Sequence, residues 1–370
     1  MGKNQHFVPQ FYLRNFSISG NSRGISCYNI SRRLLICQAS IRGQASKDNF
    51  YDNDGTVEEY LSKIEGLFSD VIRSIIDGVC DYSSDSFQSM MKMFMINLYV
   101  RTEKMAADVE RALDKIVRIV SRERVSEDMQ RFLDSAMLKL NHPGTIMLNN
   151  VKSILDVIYD LDVVVLKNCT SVDFVTSDNP VAIYNMYLER RGFKGGLGGL
   201  SLKGVQIIVP ISPRYVAMAY DPEVYRVGGG SFDRCVRNVN DVRSINKLQC
   251  VNAGENIMFS NVDCCREIVS SISELNKLRS SVKSVVRCAQ KYEESGGADK
   301  YIFVDDYRER KKCSSELIMF QRGSLRISFG LTFVSIKSSA KKHKLGNNPV
   351  RSWAVKMRYQ HALDRVAQNA

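Results

Sequence analysis

No stretch of this 370-residue chain stays apolar for the roughly 18 residues that a membrane-spanning helix needs. The longest local candidates, "DVVVLKN" and "VQIIVPI", are strand-sized. The amino terminus has no basic start followed by an apolar core and a small-residue cleavage site, so no secretory signal is read there. Ten cysteines are scattered without a C-x-x-C pair. That argues against a zinc ribbon or thioredoxin-type centre and for reduced, mostly buried thiols. The glycine-rich segment "RRGFKGGLGGLSLKG" lacks the G-x-x-x-x-G-K-[ST] order of a phosphate loop and opens no evident helix. No nucleotide cofactor is therefore expected; a mobile basic flap over a site fits the segment better, while most such loops are only connections. No internal repeat stands out. With 44% hydrophobic and 25% charged residues, the composition is that of a globular protein, expected in the cytoplasm without a membrane partner.

What the chain does have is positive charge in one place. The net charge is +12, and from Lys300 onward fifteen Lys and Arg face five Asp and Glu, a net of +10. The first 299 residues hold only the remaining +2. Within the basic end the cations alternate with Tyr301, Tyr307, Phe320, Phe329, Phe333, Trp353 and Tyr359. Such a pattern fits a surface that contacts phosphates and stacks on bases, so nucleic acid is the expected partner of this region. A solvated basic tail without a partner is the plainer explanation. Residues 1–299 are read as an α+β core and 300–370 as a basic, β-rich segment and tail.

Periodicity divides the core. Residues 1–55 look extended and turn-rich, with strands at "GISCYNI" and "RLLICQA" around a turn "NISRR". "TVEEYLSKIEGLFSDVIRSIIDG" then places Val57, Leu61, Ile64, Leu67, Phe68, Val71, Ile72 and Ile75 on one helical stripe that Gly78 ends. Further helices are expected at about 84–104, 105–124, 126–140 and 144–160, with short joins that suit an antiparallel bundle. After Leu161 the period shifts to two. "DVVVLKN" and "DFVTS" read as a hairpin, followed by "NPVAIYN", "GVQIIVPIS" and "RYVAMAY". Residues 236–256 and 261–294 look helical, and short strands return over 301–336. The whole is α+β: a helical-bundle half packed with a largely antiparallel β-sheet half.

Polar groups concentrate where a packed protein would not need them. His6 lies inside the aromatic run "QHFVPQFYLRNF", which also carries Arg14. Glu58 and Glu65 are two helical turns apart, so both carboxylates leave nearly one face, about 10 Å apart along the axis, while Glu59 faces solvent. Asp178 ends a strand in "FVTSDNP", where Pro180 turns Asn179 away from helix. Arg101 closes the otherwise apolar "NLYVRTE". Each has a structural explanation: a hydrogen-bonded histidine, a helix-dipole glutamate, an Asx-turn aspartate, arginines paired with buried carboxylates. If the groups converge, Glu58, Glu65 and Asp178 supply hard oxygen ligands for Mg²⁺ or Mn²⁺. His6 would then be general acid or base, and Arg14 and Arg101 would neutralise charge on phosphate oxygens. Without metal, His, Glu and Arg suffice to cleave RNA through its 2′-hydroxyl.

These residues, with "FYD" at 50–52, "VEEYLSKIEG" at 57–66, "LYVRT" at 98–102 and "VPISPRY" at 209–215, occur in an order that resembles a bacterial family known only as a domain of unknown function. Its hallmark is similar to H-Y-V-P-x-F-Y-L-R-x-F, and the resemblance covers roughly residues 4–260. Its motif positions correspond here to His6, Pro9, Arg14, Glu58, Glu65, Arg101, Asp178, Asn179 and Pro180, with Phe7 replacing a tyrosine and so lacking its hydroxyl. Members occur among single-gene phage-defence candidates, which implies an effector toxic to infected cells and a phage-encoded trigger. The leading expectation is thus a nuclease, RNA ahead of DNA, with His6, Glu58, Glu65 and Asp178 as its site and Arg14 and Arg101 assisting. The alternative is a non-catalytic sensor of a phage component or nucleic acid, marked by a buried salt-bridged core in place of an open pocket around His6. An enzyme acting on a nucleotide is a third reading, lowered by the missing phosphate loop.

Overall fold

Turn residues at "NISRR" fold the first two alternating runs into a hairpin. The computed structural model describes residues 4–19, 21–121, 125–193, 195–228, 234–281, 285–292, 300–304, 316–321, 328–342 and 349–369. It begins with β1 (Asn4–His6), the short helix α1 (Gln10–Arg14), the hairpin β2 (Gly24–Asn29) and β3 (Leu34–Ser40), and β4 (Ser46–Asp48), which pairs antiparallel with β1. The expected all-extended start overlooks α1. Pro9 stands at its threshold with φ −60°, close to the helical value, so the aromatic run turns once before it straightens.

The helical half runs α2 (Thr56–Ile76), α3 (Asp85–Val100), α4 (Glu103–Ser121), α5 (Glu127–Ser135), α6 (Pro143–Leu148) and α7 (Val151–Ile158). Asp52 starts α2 by accepting the Gly55 and Val57 N–H groups at 2.9 and 2.6 Å. Gly78, with φ +75°, ends it. On the expected stripe Leu61, Phe68, Ile72 and Ile75 are buried, whereas Leu67 is exposed. The single helix expected over 144–160 is two helices. Asn150 bonds back to the Ile146 carbonyl at 2.8 Å, a side-chain alternative to the helical ladder that breaks the run.

The sheet half contains β5 (Asp162–Asn168), β6 (Thr176–Ser177), β7 (Ala182–Tyr184), α8 (Met186–Arg190), β8 (Gln206–Ser212), β9 (Tyr215–Tyr220), β10 (Tyr225–Val227) and β11 (Cys235–Val236). It continues with α9 (Val239–Asn252), β12 (Asn256–Phe259), α10 (Cys265–Ser281), β13 (Val285–Tyr292), β14 (Lys300–Val304), β15 (Glu316–Gln321), β16 (Val334–Ile336), α11 (Ser338–Lys342) and α12 (Ser352–Asn369). One sheet has the order β11-β5-β9-β8-β7, antiparallel except for β11 on β5. A second has the order β3-β2-β12-β6. Side chains of the five-stranded sheet alternate between two cores, as the period of two requires. Val163, Val165, Ile207, Val209 and Ala217 join the amino-terminal aromatics, α2 and α3, while Leu166, Ile208, Val216 and Met218 join α8 and α9. The architecture is α+β, a helical bundle packed with mostly antiparallel sheets.

Several expectations change. β5 and β6 are not a hairpin: β5 pairs with β9, and β6 with β12 in the other sheet. Residues 285–292, read as helix, form β13 between β14 and β15. Among the cysteines whose side chains are described, Cys27 and Cys250 are free and buried, and Cys37 and Cys169 are free and exposed. Beyond residue 300, described residues enter the second core through Phe329, Leu331, Val334 and Ala340. Among the described residues no helix is long and apolar enough to cross a membrane.

Tyr12 joins the two sheets. Fully buried, its hydroxyl donates to the Pro210 carbonyl on β8 and lies 2.7 Å from Thr176 Oγ1 on β6. We expect Tyr12→Phe to keep the packing and lose about 1–3 kcal/mol, because a buried carbonyl and a hydroxyl are left short of a partner. Urea unfolding measures this, and a loss below about 0.5 kcal/mol would deny Tyr12 the linking role.

Candidate functional site

Arg101 follows the last turn of α3, a helix buried throughout from Phe94 to Val100, and its guanidinium goes into the protein with it. Its exposure is 2%. Nε donates to the Tyr51 hydroxyl at 3.1 Å, Nη1 to Glu65 Oε1 at 2.6 Å and Nη2 to the His6 carbonyl at 2.7 Å. Burial opposes the charge, but Tyr51 and Glu65 hold the guanidinium's pKa above its ordinary value. Burial in turn pushes the Tyr51 phenol up to about 12.

Around this ion pair the expected groups do gather. The His6 ring is buried, and Nε2 lies 3.0 Å from the Arg42 carbonyl oxygen. A carbonyl can only accept, so Nε2 carries the proton. Burial lowers the imidazole below its ordinary 6.5, with the Arg42 hydrogen bond opposing, so His6 is neutral at pH 7. Glu58 and Glu65 share the face that their spacing dictates, and Glu59 is exposed against Lys63 at 2.9 Å. Burial raises Glu58. Its carboxylate receives the His6 backbone N–H, yet Oε2 is buried without a hydrogen-bond partner. Gln5, next to His6, accepts the Tyr51 N–H at 2.6 Å and donates to the Asp52 carbonyl at 3.2 Å, which ties β1 to the start of α2.

Asp178 belongs to a second, neighbouring cluster. At the end of β6 its carboxylate accepts three backbone N–H groups, from Gly254 at 2.7 Å, Glu255 at 2.7 Å and Asn256 at 2.9 Å. Burial raises its pKa and those three bonds oppose the rise. A Cβ on Gly254 would lie 3.2 Å from Asp178 Oδ2, so the turn suits glycine best. Asn179 accepts from the Thr102 hydroxyl at 3.0 Å and donates to the Asn252 carbonyl at 2.9 Å. Lys104 donates to the same carbonyl at 2.8 Å, and Arg279 reaches the Cys250 and Gly254 carbonyls. These groups satisfy the carbonyl end of α9, where cations are favoured. Burial drives Lys104 down to about 8 and lowers Arg279.

Beside this clamp opens a cleft of about 420 Å³, bordered by Phe7, by Lys104, Arg111 and Arg279, and by four carboxylates including Asp178. The two clusters meet at consecutive residues, Arg101 and Thr102. Arg14 joins neither: it is exposed at the end of α1, 3.3 Å from Gln10 Oε1. The metal-ligand trio does not form. Glu65 is held by Arg101 and Asp178 by backbone N–H groups, and among the described residues no three His, Cys, Asp or Glu could hold a metal ion.

Sequence reading passed over Tyr51, Asp52 and Thr102 as members of the site, although "FYD" and "LYVRT" contain them. Lys104, Asn252 and Arg279 had no signal at all. In the basic end, Tyr307 lies outside the described residues. Phe329 packs edge-on to Tyr184 inside the core, and Trp353 stacks on Tyr159 at 5.4 Å, so both serve the fold. Tyr359 is exposed.

A family model described as "Protein of unknown function (DUF4238)" matches residues 4–263, which contain both clusters except Arg279. No curated protein and no solved structure gives a match.

Two outcomes follow from the geometry. Arg101→Met should cost about 3–5 kcal/mol in urea unfolding, the range for breaking a buried pair from one side. A cost under about 1 kcal/mol would mean that the ion pair does not hold the fold. The second concerns pH. Because the folded state lowers the His6 pKa, the unfolded chain binds more protons as pH falls from about 6.5, and stability is lost in that direction. Glu58 and Asp178, both raised, act with the opposite sign in the carboxylate range below it. The difference between parent and His6→Gln isolates the histidine. Their stability gap should narrow between pH 7 and 5; a constant gap would remove His6 as the source.

Proposed function

Since the chain belongs to this family, whose description assigns no activity, we propose a function from the geometry: recognition of nucleic acid through its phosphates, by a protein whose motif residues build a scaffold. The observation that carries this reading is that the expected catalytic groups are already engaged inside the fold. Arg101 spends its donors on Glu65, Tyr51 and the His6 carbonyl, His6 Nε2 faces a carbonyl, and Asp178 is filled by three N–H groups. A general base must have a lone pair within reach of the proton it takes; those of Asp178 are turned to backbone amides, and that of His6, on Nδ1 once Nε2 carries the proton, belongs to a buried ring. In the phage-defence setting that the resemblance implies, such a protein would sense nucleic acid or a phage component and act through a partner.

A nuclease is the second reading, and two observations favour it. Glu58 keeps one buried carboxylate oxygen unpartnered. The 420 Å³ cleft holds Lys104, whose amine titrates at about 8, close to the neutral range that general-base work requires. Such a base could take the proton of a 2′-hydroxyl, which puts RNA ahead of DNA. No step is routed through Mg²⁺ or Mn²⁺, since Glu58, Glu65 and Asp178 are not gathered as ligands.

Purified protein incubated with total RNA, tRNA and DNA, with and without Mg²⁺ or Mn²⁺, separates the readings. Recognition predicts a gel shift without cleavage, and His6→Ala and Asp178→Ala variants that lose thermal stability before they lose binding. Cleavage by the parent, abolished in variants whose circular dichroism is unchanged, would overturn recognition in favour of the nuclease.

A further inference from the structure

Two helices, far apart in sequence, end at one place on the surface. α8 ends in Arg190 and leads into Arg191; α11 ends in Lys341 and Lys342. Cations in a last helical turn complement the carbonyl end of that helix, which accounts for each pair separately. It does not account for their meeting. The Arg191 guanidinium lies over the Tyr187 ring, 4.8 Å from its centroid, and donates to the Ala340 carbonyl at 2.8 Å and to the Lys341 carbonyl at 2.5 Å, joining the two helix ends. Between them opens a cleft of about 560 Å³ lined by Tyr187, Arg190, Arg191, Ile336 and Lys341: three cations and no carboxylate. A cleft of about 200 Å³ that shares Tyr187 adds Lys203 and Glu223. Glu189 on α8 is partly buried, and buried Asp221 accepts the Gly204 and Glu223 N–H groups. Arg190, Lys341 and Lys342 are exposed.

This surface differs from the cleft beside Asp178, where three cations share the lining with four carboxylates, Arg111 is paired with Asp108, and Lys104 and Arg279 hold the carbonyl end of α9. Here the charge is of one sign and its tips reach solvent. Like charges held together by two helix ends repel, and a polyanion relieves that repulsion while releasing its own counterions. Tyr187 cannot stack on a base, because its ring sits under Arg191 and its hydroxyl donates to the Ala340 carbonyl at 3.1 Å. The contacts available are therefore to phosphate, which position a nucleic acid without reading its sequence. The segment that follows Arg191, "GFKGGLGG", is the glycine-rich stretch that stood out in the sequence as a basic flap.

We propose that the cleft between the ends of α8 and α11 binds the phosphate backbone of nucleic acid, with Arg190, Lys341 and Lys342 as its contacts. The proposal rests on the recognition reading above and gives it a place. Fluorescence anisotropy of the full chain with a short single-stranded RNA, and with DNA of the same sequence, over a salt series provides the test. The parent should bind both, with log affinity falling linearly against log salt. Arg190→Ala, Lys341→Ala and Lys342→Ala combined should lower that slope by about 2, since each phosphate contact contributes roughly 0.7–0.9. Replacing the three by the other cation (Arg190→Lys, Lys341→Arg, Lys342→Arg) should restore it. These side chains are exposed, so circular dichroism and thermal midpoint should match the parent.

An unchanged slope in the alanine variant, with binding intact, would overturn this surface and leave recognition standing. Failure of the parent to bind either nucleic acid would overturn both. If the alanine variant lost binding to vesicles of anionic lipid while keeping its nucleic-acid slope, the surface would belong to a membrane and the proposal would fall.

Discussion

Burying one guanidinium ties three separate pieces of this protein together. Removing Arg101 from water costs several kcal/mol, and the cost is offset only when every partner is present with good geometry. The partners come from three separate pieces of chain: Glu65 from α2, Tyr51 from the segment before α2, and the His6 carbonyl from β1. In the folded protein the end of α3 therefore stays buried with its charge satisfied only while the amino-terminal segment lies over it. Gln5 and Asp52 make that possible, one fixing β1 to the Tyr51 segment and the other starting α2. The aromatic run supplies the apolar cover: Phe7 meets Phe50 at 5.5 Å, and Phe11 and Tyr12 both meet Phe94.

The next residue carries the constraint into the sheet half. Thr102 holds Asn179, Asn179 and Asn252 exchange hydrogen bonds, and Asp178 gathers the three N–H groups between α9 and β12. A turn with its amides on one carboxylate and its preceding carbonyls on Lys104 and Arg279 has little freedom left. The same device recurs at the carboxy-terminal end. Arg351, also 2% exposed, pairs with Asp160 at 2.8 Å and donates to the Val157 and Leu200 carbonyls, pinning the start of α12 to the end of α7 and to the glycine-rich stretch. At both places a buried arginine ties together segments that are far apart in the chain.

Periodicity made the helical half legible, since the α2 stripe and the Glu58–Glu65 face depend only on residues within the same helix. The strand pairing was not legible in the same way. "DVVVLKN" and "DFVTS" are close enough to suggest a hairpin, but β6 is two residues long and its place is set by Asp178 and β12, about eighty positions later. The site shows a similar division. Its residues could be picked out as polar groups in an apolar setting, yet whether a lone pair faces a cleft or the chain's own amides depends on contacts that no local pattern records. Asp178 has a structural role, but not the Asx turn weighed against its catalytic one: its carboxylate gathers amides of a turn far along the chain, not those of its own neighbours. Lys104 and Arg279 escaped notice because their partner, the end of α9, is remote from Lys104 in sequence and carries no motif that asks for a cation.

The same distinction decides how the net charge of +12 is to be understood. A cation whose donors are held by buried carbonyls and carboxylates cannot also hold a phosphate, because turning outward would leave those acceptors unsatisfied. Arg101, Arg279 and Arg351 are of that kind. Arg351 moreover belongs to the region whose composition alone suggested a binding tail. Charge density along the sequence therefore overstates the charge available to a partner, and the useful measure is how many cationic tips reach solvent on one face without a carboxylate between them. By that measure the ends of α8 and α11 outrank the cleft beside Asp178, although only the latter lies among the family's motifs. Apart from the exposed Arg14, the motif residues sit where the fold is held together, and among the described residues a group of exposed cations lies where two helices finish side by side.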